Sequence, residues 1–111
     1  MITLEKASFE DCVEIHEMQS KSFNELLVKY RDYQTNPAAE KLDVIQNKMK
    51  FSDYYFIVFD GKKVGVIRII PSDNFCRISP IFILPEFHNK GYAQAALKEA
   101  ELLYPDKRMA S

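Results

Sequence analysis

The chain has 111 residues, fifteen basic and sixteen acidic, for a formal net charge of −1. These charges are interspersed, so no basic block tracks a phosphate backbone and no acidic run competes for one, which excludes nucleic-acid binding as an expectation. Hydrophobic residues make up 47%, with eight Phe and six Tyr, enough for one core without disulfide or metal staples.

Residues Ile2–Lys6 alternate apolar and polar, which predicts a short strand. Ser8 precedes Asp11 by three positions, a near-match to a capping box, and opens a helix with Cys12, Ile15 and Met18 on one face. A second helical stretch follows, with Phe23, Leu26, Leu27 and Tyr30 at helical spacing. Arg31–Thr35 reads as loop, and Asn36-Pro37 as a cap with proline at the first helical position, leading a helix that carries Leu42, Ile45 and Met49.

The character changes at Tyr54. Tyr54–Phe59 is aromatic and β-branched, Asp60-Gly61 is a hairpin turn signal, and Val64–Ile70 returns as a second strand. Pro71–Asn74 is another turn and Phe75–Leu84 a third long strand, in which Pro80 marks either an edge or a bulge. Ala93–Leu103 is a helix with Ala96, Leu97, Ala100 and Leu103 facing inward. This order predicts one α+β domain over residues 1–111, with a mostly antiparallel sheet of about four strands and helices packed on it.

Cys12 and Cys76 read as two buried free thiols, with a disulfide left open by sequence alone. Neither has a CxxC or nearby histidine partner, so no metal site is expected. Met1–Lys6 lacks the basic and apolar regions of a signal peptide, and the apolar stretches are too short to span a bilayer. The expectation is a cytoplasmic, soluble protein.

The segment richest in chemistry is Ile81–Ala93: a hydrophobic strand, a short polar turn, Gly91, and then a helix. Unpaired amides and the dipole at a helix N-terminus favour an anion, and a glycine lets backbone approach it closely. Lys90 adds a mobile positive charge. On local chemistry alone, a phosphate site and a plain strand-to-helix connection both remain open.

The register narrows the choice. His88-Asn89-Lys90-Gly91-Tyr92-Ala93, preceded by Leu84-Pro85-Glu86 and followed by an alanine-rich helix, resembles motif A of the Gcn5-related N-acetyltransferases. That motif reads Gln/Arg-x-x-Gly-x-Gly/Ala, so His88 stands where Gln or Arg is usual. The opening strand, helices, Asp-Gly hairpin and Val64-Gly65 also find counterparts, and the resemblance covers essentially the whole chain. It implies an acyl-CoA N-acyltransferase fold that transfers acetyl from acetyl-CoA, as co-substrate, to an amine of a small molecule or protein. Backbone of Ile81, Phe82 and Ile83 would pair with the pantetheine arm, one amide there polarising the thioester carbonyl. His88, Asn89, Lys90, Gly91, Tyr92, Ala93 and Gln94 would surround the pyrophosphate.

No catalytic acid or base is assigned. The family often uses a tyrosine in an Asn-x-x-x-x-Tyr segment of its C-terminal half, and this chain has no such segment. Tyr92 begins and Tyr104 ends the motif A helix, so neither is carried over; Glu86, His88 and His16 read as solvated residues. Phe23, Glu25, Tyr30 and Tyr33 are possible liners of an acceptor pocket.

Beyond the motif A helix the family continues with a strand, a helix and a hairpin, whereas here the chain reaches Ser111 soon after Tyr104-Pro105. The expectation is therefore an incomplete fold, with one edge of Phe75–Leu84 unpaired and open to self-association as a homo-oligomer. Two rivals to the transferase follow: a non-catalytic CoA-binding or interaction module, and a structural α+β domain without a cofactor.

Overall fold

The computed structural model describes residues 1–30 and 41–110. The chain forms β1 (Ile2–Lys6), a 3-10 turn at Phe9–Asp11, α1 (Cys12–Tyr30), α2 (Leu42–Lys48), β2 (Asp53–Phe59), β3 (Lys62–Pro71), β4 (Phe75–Ile83), a second 3-10 turn at Pro85–Phe87, α3 (Tyr92–Leu103) and β5 (Arg108–Ala110). The strands lie in the order β1-β2-β3-β4-β5, antiparallel except for the parallel β4–β5 pair.

The Ser8–Asp11 signal is real: the Asp11 carboxylate accepts from Ser8 N (2.8 Å) and Ser8 Oγ (3.1 Å). It opens the 3-10 turn that runs directly into α1. The expected break between two helices before residue 31 is absent. Gln19-Ser20-Lys21-Ser22 contains neither glycine nor proline, so nothing stops the helix, and α1 continues through Tyr30. Arg31–Thr35, Tyr33 and the Asn36-Pro37 cap lie outside the described residues, as do the side chains of Phe23, Glu25, Leu26, Leu27 and Tyr30.

The sheet is covered on both faces. On one, Cys12, Ile15 and Met18 of α1 and Ile45 of α2 meet Tyr54, Phe56, Val58, Val66, Phe82 and Leu84. On the other, Ala96 and Ala100 of α3 pack on Ile2, Ile57, Ile67, Ile69, Cys76 and Ile78. The two cysteines therefore sit on opposite sides of the sheet, both buried and free. Leu103 departs from expectation, being 47% exposed. The stripe through Ala96 and Ala100 advances by four to Tyr104, and it is Tyr104 that packs inward.

Asp60 (φ 55°) and Gly61 (φ 78°) both take left-handed conformations in the two-residue β2–β3 loop, the geometry of a type I′ turn. Two bulges then re-aim the strands. In β3 one extra residue, Val64, falls between the Ile57–Gly65 and Val58–Lys63 pairs. In β4 the pairing runs from Ile69–Ile78 to Ile67–Ile81, so Ser79 and Pro80 both oppose Arg68. Of the two readings of Pro80, the bulge holds. It also turns the strand over: Cys76 and Ile78 before it, and Ile81 and Ile83 after it, all face α3.

One expectation is corrected. The edge of β4 is not unpaired along its whole length, because β5 lies parallel to it with Phe75, Cys76 and Arg77 opposite Arg108, Met109 and Ala110. The chain turns back after α3 through Lys107 N–H to Tyr104 O (3.1 Å). Tyr104 fixes that turn: its hydroxyl donates to Asp53 Oδ2 at 2.9 Å and lies 3.5 Å from the Tyr55 hydroxyl. Lys6 Nζ approaches the other Asp53 oxygen at 3.5 Å. A strand of three residues has no periodicity to detect, so among the described residues the sheet has five strands rather than about four.

Candidate active site

The bulge divides β4 into two parts with different neighbours. Phe75–Arg77 pairs with β5; beyond Ser79-Pro80, Ile81–Ile83 has no strand on its outer side among the described residues. Backbone groups alternate along this stretch. The Phe82 carbonyl faces Gly65 on β3, and Leu84 N–H donates to Val64 O at 2.8 Å. Ile81 and Ile83 therefore turn their amides and carbonyls to the open edge.

Gly65 makes this part of the sheet possible. A Cβ there would stand 2.2 Å from Phe82 O and 3.1 Å from Ile83 Cα, so only glycine allows the two backbones to approach this closely.

The strand-to-helix connection is built from local turn chemistry. Phe87 N–H donates to Leu84 O (2.9 Å) and His88 N–H to Pro85 O (3.3 Å), closing the 3-10 turn. Asn89 (φ 63°) and Gly91 (φ 75°) both take the left-handed conformation. Gly91 is the N-cap of α3, and the first helical bond runs from Ala95 N to Gly91 O at 3.1 Å. Having no side chain, Gly91 caps none of the first-turn amides of Tyr92, Ala93 and Gln94, and no acidic residue occupies that turn to offset the helix dipole. A Cβ on Gly91 would meet nothing within 4 Å, so its side of the loop faces open space.

Tyr92 anchors this helix end. Its ring stacks on Phe59 of β2 at 5.0 Å between centroids and lies 6.5 Å from Phe87. His88 reaches back to the strand: its Nε2 is 2.7 Å from the carbonyl oxygen of Ile83. A carbonyl only accepts, so Nε2 carries the proton. On the outer flank, Lys21 of α1 and Glu86 are 3.5 Å apart, an exposed pair of small energetic weight.

These parts enclose a cavity of about 570 Å³. Ile81, Phe82 and Ile83 line it from β4, and His88, Asn89, Lys90, Gly91, Tyr92, Ala93 and Gln94 from the loop and helix end. All ten residues singled out in the sequence thus surround one space. Sequence reasoning missed Ser22 and Phe87, which also line it. Ser22 brings α1 to the cavity from nearly sixty residues upstream, and its hydroxyl oxygen is shielded without a hydrogen-bond partner among the described residues. Phe87 could have been found as the apolar residue between two polar ones in the turn. Ser22 had no local signal. Tyr104, Glu86 and His16 do not line the cavity.

A family profile described as the Acetyltransferase (GNAT) family matches residues 12–109, and the chain belongs to that family. Solved structures share its fold at low identity. The PaiA N-acetyltransferase of Thermoplasma acidophilum, in complex with coenzyme A, is 19% identical with a TM-score of 0.65, over 95% of this chain and 72% of that one. A GNAT family acetyltransferase of Brucella melitensis, in complex with acetyl-CoA, is 16% identical with a TM-score of 0.69, over 95% and 69% of the two chains. A putative GNAT acetyltransferase of Xanthomonas campestris pv. campestris is 24% identical with a TM-score of 0.62, over 100% and 73%. No curated protein matches. Among the described residues, no helix is long and apolar enough to cross a membrane.

Proposed function

We propose that this chain is an N-acetyltransferase that takes acetyl-CoA as co-substrate and acetylates an amine of a small molecule or protein. The observation that carries this reading is one cavity with two complementary walls: an open strand edge at Ile81–Ile83 and a glycine-capped, acid-free helix N-terminus at Gly91–Gln94. An amide-bearing arm leading to a pyrophosphate needs both, the first as a strand-like partner and the second as an anion cradle. The volume falls within the range usual for ligand sites. Family membership favours the transferase over the non-catalytic module and over a structural domain.

Acetyl-CoA supplies an activated thioester. The chain's own part is largely backbone. The outward edge groups of Ile81 and the N–H of Ile83 pair with the arm, and amides from Asn89 to Gln94 hold the phosphates, with Lys90 adding charge at the mouth. An edge N–H aimed at the thioester oxygen stabilises the negative charge that grows there as the amine nitrogen attacks. The C–N bond forms, the C–S bond breaks with its electron pair leaving on sulfur, and the amine's proton passes to water while the thiolate takes one back, leaving an amide and a free thiol.

Calorimetric titration with acetyl-CoA, followed by a free-thiol release assay over mixed amines, tests the reading. Saturable binding and amine-dependent thiol release are expected. Gly91→Val should weaken binding, because a β-branched residue is strained at φ 75° and fills the open side of the loop. Wild-type protein that binds no acetyl-CoA, or a Gly91→Val variant of unchanged affinity, would overturn the assignment.

A further inference from the structure

His88 is the one position where the motif departs from the family pattern, and the structure gives its imidazole a defined partner. Nε2 donates to Ile83 O at 2.7 Å, joining the loop residue at the mouth of the cradle to the last residue of β4. Both residues line the same cavity. The ring is otherwise exposed, so packing does not explain its position. The segment it closes is the 3-10 turn Pro85–Phe87, and the left-handed residues Asn89 and Gly91 that lead into α3 follow directly from the tethered residue.

We propose that His88 is a positioning residue that clamps the strand-to-helix loop onto the edge of β4, presetting the anion cradle and biasing Ile83 towards contact with a bound arm through its N–H. Ile83 turns two groups to the open edge, its N–H and its carbonyl. The imidazole already bonds the carbonyl and stands beside it, so the N–H is the less hindered group for a ligand, while Ile81 keeps both of its groups. The register in which an arm pairs with the strand is thereby narrowed. The role needs an N–H donor on a side chain of about this reach, which a glutamine amide also provides and an alanine or leucine does not. This inference rests on the acetyl-CoA reading for its consequence on binding, but not for the clamp itself.

Two measurements separate these. In the ligand-free protein, hydrogen exchange at the two amides bonded within the turn, those of residues 87 and 88, should speed up in His88→Ala and His88→Leu and stay near wild type in His88→Gln. The global melting temperature should change little, since the ring is exposed. Titration with CoA should then show affinity reduced about three- to tenfold in His88→Ala, the worth of one hydrogen bond, with His88→Gln restoring it. Loop exchange unchanged in His88→Ala, or a His88→Gln variant as fast as His88→Ala, overturns the clamp. A clamp that holds in the exchange experiment while wild-type protein binds no CoA overturns the cofactor reading instead. CoA affinity equal in wild type and His88→Ala overturns the positioning role.

Discussion

Gly65→Ala is the sharpest perturbation the fold offers, because one methyl group would be forced against backbone rather than against a side chain. The added Cβ would lie 2.2 Å from Phe82 O, 2.8 Å from Ile83 Cδ1 and 3.1 Å from Ile83 Cα. The Ile83 methyl can rotate away; the Phe82 carbonyl cannot. A carbon–oxygen contact relaxes at about 3.3 Å, so β4 must retreat from β3 by roughly 1 Å at this point. Overpacking of this kind costs about 1–3 kcal/mol, and the upper part of that range applies because a ladder must open as well. Removing a glycine from a strand interior returns about 0.5–1 kcal/mol of that. The net loss is about 2 kcal/mol, which in a domain of this size lowers the melting temperature by about 10 °C.

The control is Gly61→Ala. Its Cβ would meet nothing, so the cost is only that of a left-handed residue, about 1 kcal/mol. Thermal unfolding of the two variants beside wild type is the assay. A Gly65→Ala protein melting within about 2 °C of wild type, or higher than Gly61→Ala, would refute the close-approach argument. It would also remove the reason given for the placement of the Ile81–Ile83 edge.

Other outcomes follow from buried groups. Tyr104→Phe should cost about 1 kcal/mol by removing the hydroxyl that Asp53 accepts, read by urea unfolding. Burial, then the neighbouring Tyr55 and Asp53, push the Tyr104 phenol well above its ordinary value of 10.0. Above that pH the unfolded chain ionises this group while the fold keeps it protonated, so wild-type stability should fall as pH rises past 10.0 and Tyr104→Phe should lack that slope. Burial also raises both cysteine thiols, so Cys12 and Cys76 should resist a thiol reagent in the native protein and both react in denaturant; rapid native labelling of either would contradict its place in the core.

What the sequence made legible was whatever a backbone requirement writes into residue type. Asp60-Gly61 announces a turn because both positions need positive φ, and Gly91 marks the loop-to-helix junction for the same reason. The helix faces of Cys12, Ile15 and Met18 and of Ala96 and Ala100 followed from period alone. What stayed hidden depends on contacts distant in the chain. Reading Phe75–Leu84 as one regular strand puts Cys76 and Ile78 on the same face as Phe82 and Leu84; the bulge separates them, and its position follows from pairing with β3. The parallel return of β5 depends on the Tyr104–Asp53 contact, which spans fifty-one positions. The use of His88 depends on a carbonyl five residues earlier, and Ser22 reaches the cavity only because α1 runs unbroken past it.

The bulge at Ser79-Pro80 has a consequence for colloidal behaviour. An open strand edge is a template on which further chains add by copying its hydrogen-bond ladder, and proteins that keep such an edge need some defence against it. Here the lower end is capped by the chain's own β5. Above it the ladder is broken by an extra residue and by a proline with no N–H to give. Among the described residues, the length left for another strand to copy is Ile81–Ile83, too short to nucleate a stack, and the loop bearing His88 overhangs its far end. The same irregularity that keeps the edge accessible to a small molecule makes it a poor seed for aggregation.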